Sequence, residues 1–386
     1  TATAIDLNGG SITTTGGQDY NGAVSLGAGT TLGGVNVVFH STVNGAQSLT
    51  VNDSGTTQFL GAVGGSTALT SVTTDAAGTT DINGSSVKTT GAQTYNDAIV
   101  LSADTTLTIT GTGSLSFGKT VDGDGSASRG LTVSVGSNGT TFGGAIGGSQ
   151  ALSGLTVTTG TLTAHAIAAT GAISITNSGA GTIDGVISGS GVTLTKAGAG
   201  TLTLSGANTY GGSTTVNGGV LAVGGSGTLG NTGSLLSLSS GTLDLQKALT
   251  IGSLSMSGTL PAITNSTGTS SLVVSGTSTL ANSVVTSGAQ TYSGAVTLGA
   301  NTTLNTGTSG GNVLFSSTVD GGKTLSVTTT GDTTFSGTVG GTALAGLTVT
   351  TGTLTAHAIG LATNDAISIT NSGAAVSYTH LRAHET

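Results

Sequence analysis

Aliphatic and small polar residues alternate along most of this chain in short runs, and the runs are separated by turn residues. The stretch Gly198 to Gly224, GAGTLTLSGANTYGGSTTVNGGVLAVG, shows the pattern most clearly. Leu202 and Leu204 fall two apart, Val216 follows, and Leu221 and Val223 again fall two apart. A period of two puts the aliphatics of each run on one face of a β-strand. Gly206-Ala207-Asn208 and Asn217-Gly218-Gly219 interrupt the runs with residues that tolerate positive φ. In the first block the same pattern predicts strands at 4–7, 23–26, 35–39, 48–51 and 57–60.

The pattern repeats. Gly206-Ala-Asn-Thr-Tyr210 has counterparts in Gly91-Ala-Gln-Thr-Tyr95, Gly288-Ala-Gln-Thr-Tyr292 and, more loosely, Gly16-Gly-Gln-Asp-Tyr20. Strands AVSL (Ala23–Leu26), AIVL (Ala98–Leu101) and AVTL (Ala295–Leu298) follow three of these tyrosines, so a turn, a tyrosine and a strand return as a unit. Phe117 answers Phe39, and Phe142 answers Phe59. LTVTTGTLTAHAI stands at both Leu155–Ile167 and Leu347–Ile359, 192 residues apart, and AISITNSGA at both Ala172–Ala180 and Ala366–Ala374, 194 apart. Self-similarity of this kind marks a repeat architecture. It divides the chain into block 1 (1–88), block 2 (89–190), a third segment (191–285) that continues the same solenoid, and block 3 (286–375). The last residues, 376–386, break the pattern. They hold the only Glu, one of two Arg and two of five His, and read as a non-native tail, with a natural capping tail as the alternative.

Composition narrows the fold. The 386 residues include 70 Gly, one Pro and no Cys or Trp, and only 3% are aromatic and 6% charged. Such a chain has no thick aromatic core, but it buries aliphatic side chains in many thin slices, which is a solenoid. A rung of about 20 residues buries too few side chains to order its own backbone. Stacking at about 4.8 Å per rung pairs every strand above and below. The expected fold is all-β: a right-handed, single-stranded parallel β-helix with short Gly/Asn/Asp turns, on the order of 18 rungs and a rod of roughly 80–90 Å.

The net charge of −8, with seven Lys plus Arg, leaves no basic stripe and argues against a nucleic-acid partner. No apolar run approaches the length of a membrane helix, so no membrane insertion is expected. With no initiator Met and no signal peptide, the chain reads as an internal piece of something longer. The missing cysteines fit either compositional drift or a chain that crosses an outer-membrane pore unfolded and avoids disulfides in an oxidising periplasm.

Lys196, Gly198 and Gly200 to Tyr210, then Gly211 to Gly219, follow a Lys-x-Gly-x-Gly-Thr-Leu-Thr-Leu-Ser-Gly-x-Asn-Thr-Tyr core and its Gly-Gly-Thr-Thr-Val-Asn-Gly-Gly continuation. This segment of some 35 residues resembles the passenger-associated β-strand repeat of bacterial autotransporters. The flanking blocks more loosely resemble the repeats of filamentous-haemagglutinin-like adhesins. The resemblance implies a β-solenoid displayed at the surface of a Gram-negative cell by type V secretion, with an outer-membrane translocator and a host or glycan surface as partners. The residues expected to carry the motif are Gly200, Leu202, Leu204, Gly206, Asn208, Tyr210, Val216, Asn217 and Gly218.

Candidate chemistry is sparse. His165 and His357 share a Thr-Ala-His-Ala-Ile context but lie about ten rungs, or ~45–50 Å, apart, too far to share a metal; a surface or turn role is expected. Asp122 and Asp124 have the look of paired carboxylates, yet the equivalent positions Asn44 and Asp320 lack the second acid, so an Asn/Asp-Gly turn accounts for all three. Gly225-x-Gly227-x-x-Gly230 and Ser85-x-x-Lys88 match cofactor-binding and acylation motifs by letter, without the helix either needs. No catalytic, cofactor or metal residue is expected. Thr-x-Thr pairs (Thr106/Thr108, Thr161/Thr163, Thr201/Thr203, Thr353/Thr355) put hydroxyls on one strand face, which admits ice binding beside the plainer role of a favourable strand residue. The expected function is a non-enzymatic extracellular stalk and adhesin whose stepwise folding aids export. The alternatives are an ice-binding solenoid, a β-helical polysaccharide-active enzyme and a pure spacer.

Overall fold

Alternating burial along each run is what turns these segments into strands: Ser48–Asp53, SLTVND, buries every second side chain, and so does Gly154–Thr159, GLTVTT. The computed structural model describes residues 4–258, 262–361 and 366–373, together with the backbone of 377–382. Every regular element among them is a β-strand, and every paired strand runs parallel to its partner. The protein is an all-β solenoid. It forms two compact units, Thr1–Thr193 with Ala199–Leu202, and Leu194–Gly198 with Thr203–Thr386. Of the expected tail, 377–382 is a strand paired to Leu354–Leu361, and the remainder lies outside the described residues.

The first unit has three parallel ladders, and the chain visits them in turn before climbing one rung. One ladder carries the inward column Val24, Val43, Val63, Val87, Leu107, Val133, Val157 and Ile175, each in register with the next. The second carries Leu32, Val51, Thr74, Tyr95, Phe117 and Phe142. The third carries Tyr20, Phe39, Phe59, Ile82 and Leu101. Along these three columns the rung length varies from 18 residues (Val157 to Ile175) to 26 (Leu107 to Val133), because insertions are absorbed at corners while the columns stay aligned.

The second unit repeats the plan. Leu221, Leu243, Ile263, Val284, Leu304, Val327 and Val349 form one inward column, and Ile251, Val274, Tyr292, Phe315 and Phe335 another. Here some corners are bends within a continuous strand. Ser278–Val285 turns at Asn282, whose φ is 62°, and the register shifts between Leu280 and Asn282.

The few aromatics are concentrated in three stacks. Tyr20–Phe39–Phe59, Tyr95–Phe117–Phe142 and Tyr292–Phe315–Phe335 each place successive ring centroids 4.8–5.5 Å apart and nearly parallel. Each begins on the same polar network. Gln93, fully buried between Val72 and Leu115 in its column, donates from Nε2 to Val87 O, Thr89 Oγ1 and Thr108 O, and its Oε1 accepts the Tyr95 hydroxyl. Gln18 and Gln290 make the same four bonds at equivalent residues. The segments expected as turns before tyrosine are therefore strands in these copies: Gln18–Tyr20, Gln93–Tyr95 and Gln290–Tyr292.

A second rule governs one corner of each unit. The carbonyl two residues on from an inward polar side chain, at the end of a strand or just past it, takes a donor from that side chain. Thr89 Oγ1 serves Gly91 O, Thr159 serves Thr161 O and Asn177 serves Gly179 O in the first unit. Thr286 serves Gly288 O and Thr351 serves Thr353 O in the second. A buried carbonyl without a donor is costly, so a polar side chain occupies an inward position that alternation alone assigns to an aliphatic.

Candidate functional site

The strand Leu194–Ala197 opens the second unit and supplies its least expected core residue. Lys196 lies inward in a column continued by Val216, Leu238 and Met256, and it is fully buried. Its Nζ donates to Ala197 O (2.7 Å), Gly198 O (3.0 Å) and Gly218 O (3.2 Å). The Gly198 bond is the corner rule again, with an amine in place of a hydroxyl or amide. All three partners are backbone carbonyls, so three donors meet three acceptors with no carboxylate among them. Burial lowers the pKa of this amine from 10.5 to about 8.

The expected motif residues fall into both units. In the first, Gly200 N donates to Asn177 O (2.9 Å), and a side chain at Gly200 would run into the backbone of Gly179. Leu202 is fully buried and fills the space over Gly181. In the second, Leu204 and Val216 are fully buried, and the amide of Asn217 donates to Lys196 O (2.8 Å) while its Oδ1 accepts Ser239 Oγ (2.8 Å). Gly218 supplies the third carbonyl to Lys196.

Gly206, Asn208 and Tyr210 keep the in–out alternation of burial, yet they lie in an irregular segment between strands Thr201–Leu204 and Thr214–Val216. In this respect GANTY differs from its GAQTY counterparts. Asn is one methylene shorter than Gln, and Asn208 bonds instead to Thr228: Nδ2 donates to Thr228 O (2.8 Å), and Thr228 Oγ1 donates to Asn208 O (2.7 Å). The Tyr210 hydroxyl pairs with Thr214 Oγ1 at 2.6 Å. The Tyr210 ring is covered by Gly230, whose φ is 67° and where a Cβ would sit 2.7 Å from two ring carbons. Gly227 is likewise required by packing, since a side chain there would run into the Leu204 and Gly224 carbonyls, whereas Gly225 serves a turn at φ 56°.

Several of the remaining candidates make rung-to-rung contacts. Asp122 Oδ1 accepts the amides of Ser149 (2.8 Å) and Gln150 (3.3 Å). Asn44 Oδ1 accepts those of Ser66 and Thr67, and Asp320 Oδ1 accepts that of Thr342. All three use an oxygen that Asn and Asp share. Asp124 is engaged elsewhere, with Arg129 (3.1 Å) and Ser126, and the guanidinium holds its carboxyl well below the usual carboxylate range. His165 is half-buried and pairs with Asp184 at 2.6 Å, and His357 is exposed on Leu354–Leu361. Ser85 sits in a turn at φ 63° while Lys88 points outward from Ser86–Thr89. Among the described residues, no three His, Asp or Glu side chains group to hold a metal ion.

No curated protein and no solved structure matches the chain. A family does match in part: residues 194–223 fit the passenger-associated-transport-repeat, a span that starts at the strand of Lys196 and ends with Val220–Val223. On that segment and on its parallel stacked strands, the chain carries an autotransporter passenger-type repeat built into a β-solenoid.

Proposed function

We propose that this chain is part of a type V-secreted surface protein of a Gram-negative cell, and that it stands outside the cell as a rigid, non-enzymatic stalk with adhesive faces. The observation that carries the proposal is the passenger-associated-transport-repeat at 194–223 lying within stacked rungs. An outer-membrane translocator would pass the chain unfolded. Each rung that forms outside presents a ready column to the next, and burial of each aliphatic contributes roughly 1.5–3 kcal/mol against return. Outward residues such as Thr50, Thr73, Thr94, Ser116, Thr141 and Thr163 form an uncharged hydroxyl column suited to hydrogen bonding with a host or glycan surface. The test is to place the chain ahead of a translocating barrel in a Gram-negative host, with and without residues 194–223. Surface display that falls on deletion, and displayed cells that adhere to glycan-coated surfaces, are the expected results. Display unaffected by the deletion would refute the export role, and display without adhesion would reduce the function to a spacer.

Ice binding is a second function that one observation favours. In the first unit Thr106/Thr108, Thr132/Ser134, Thr156/Thr158 and Ser174/Thr176 stack in register as an outward lattice of hydroxyls and methyls. Thermal hysteresis of the purified chain decides it, and freezing-point behaviour no different from a control protein excludes it.

A further inference from the structure

The column above Lys196 is aliphatic, and so is most of the core it joins. Apolar alternation fixes which face of a strand points inward, but it distinguishes poorly between registers that differ by two residues, since an aliphatic set then lies on an aliphatic set. A buried ammonium is not so tolerant. Its three carbonyl partners come from its own corner (Ala197, Gly198) and from the corner one rung on (Gly218). The Gly218 bond exists only when Thr195 lies on Thr215 and Lys196 on Val216. A two-residue slip takes Gly218 O away and leaves a desolvated charge short of an acceptor.

We infer that Lys196 is the register-setting residue of the second unit: its buried ammonium, held by Ala197, Gly198 and Gly218 carbonyls, admits one alignment of the opening strand on the next. The role is distinct from contributing stability. A methionine at 196 would match the Val216–Leu238–Met256 column and keep the core filled, and although it takes a donor from the Gly198 and Gly218 carbonyls, both glycines are only partly buried, which limits that cost. The amine thus excludes alternatives that an apolar residue would allow, the best-attested use of a buried polar group.

Disulfide trapping reads this directly, because the chain has no cysteine of its own. Thr195 and Thr215 face outward in register on adjacent strands, whose spacing of about 4.8 Å lies in the disulfide range. Asn217 is the outward residue that a two-residue slip would bring to Thr195. In the full chain, Thr195→Cys with Thr215→Cys should oxidise readily, and Thr195→Cys with Asn217→Cys at least roughly ten-fold less, as expected for one dominant register. Adding Lys196→Met should bring the two yields within about threefold, and Lys196→Gln, which keeps donors but no charge, should fall between. The inference is overturned if the slipped disulfide stays as rare in both variants as in the lysine chain. It is equally overturned if both variants fail to give β-sheet circular dichroism where the parent folds, since Lys196 would then be required for stability itself.

Discussion

Replacing Gln93 by Leu tests whether the polar network beneath an aromatic stack matters more than the apolar column it interrupts. Leu suits the column, between Val72 and Leu115, and adds apolar burial of up to roughly 1.5–3 kcal/mol. The loss is larger. The Tyr95 hydroxyl, in a fully buried side chain, has Gln93 Oε1 as its acceptor, and Val87 O, Thr108 O and Thr89 Oγ1 each lose a donor. An orphaned buried polar group costs about 1–3 kcal/mol, with the ladder bonds of the two carbonyls moderating their share. The expected net loss for Gln93→Leu is about 2–4 kcal/mol. Adding Tyr95→Phe removes the orphaned hydroxyl and leaves a ring that stacks on Phe117 as Phe39 does on Phe59, so the double variant should recover about 1–2 kcal/mol. Because a solenoid need not unfold all at once, urea titration should be paired with amide exchange in strands Gln93–Tyr95 and Leu115–Phe117. A neutral Gln93→Leu, or a double variant that costs the sum of its singles, would refute the reasoning.

Three further outcomes are expected. The folded-state pKa of Lys196, depressed to about 8 against 10.5, means the unfolded chain binds more protons between those values. Urea midpoints of the second unit should therefore be flat below pH 8 and rise above it, with the slope absent in Lys196→Met. Tyr210 and Tyr292, raised by burial, act with the opposite sign and should turn the curve down above pH 10, so a midpoint that falls steadily from pH 8 contradicts the assignment. Gly230→Ala should destabilise the second unit by more than about 2 kcal/mol, because its φ is 67° and the new methyl meets the Tyr210 ring; a change within experimental error of zero would remove that contact from the account. Asp122→Asn should leave the first unit's urea midpoint within about 0.5 kcal/mol of the parent while Asp122→Ala costs about 1–2 kcal/mol, since the acceptor oxygen matters and the charge does not. Equal losses in the two variants would instead make the negative charge essential.

Much of this architecture was legible in the chain. Alternation located Ala4–Leu7 and Ala23–Leu26 as strands, and the answering pairs Phe39/Phe117 and Phe59/Phe142 are indeed equivalent positions of two stacks. The polar network beneath the aromatic stacks was half visible. GAQTY recurs, but its meaning depends on a threonine four residues before each glutamine, at Thr14, Thr89 and Thr286, and that longer Thr-x-Gly-x-Gln-x-Tyr spacing was the available signal. Short strands such as Ser11–Thr13 and Val43–Asn44 were not legible, since two or three residues show no period.

The sequence by itself determined which local segments extend, which side chains share a face and where the chain turns, because these depend on neighbours two to four residues away. Only the tertiary structure decided which polar residues belong inside. Lys196, Gln93 and Asn177 are stable there because carbonyls of the next rung join those of their own corner, and the next-rung partners stand 15 to 24 residues along the chain. It also decided that the stack begun by Tyr20 and the one begun by Tyr95 lie on different ladders of the first unit. Rungs of unequal length turn one and the same motif to a different face, and no local pattern records how the lengths accumulate.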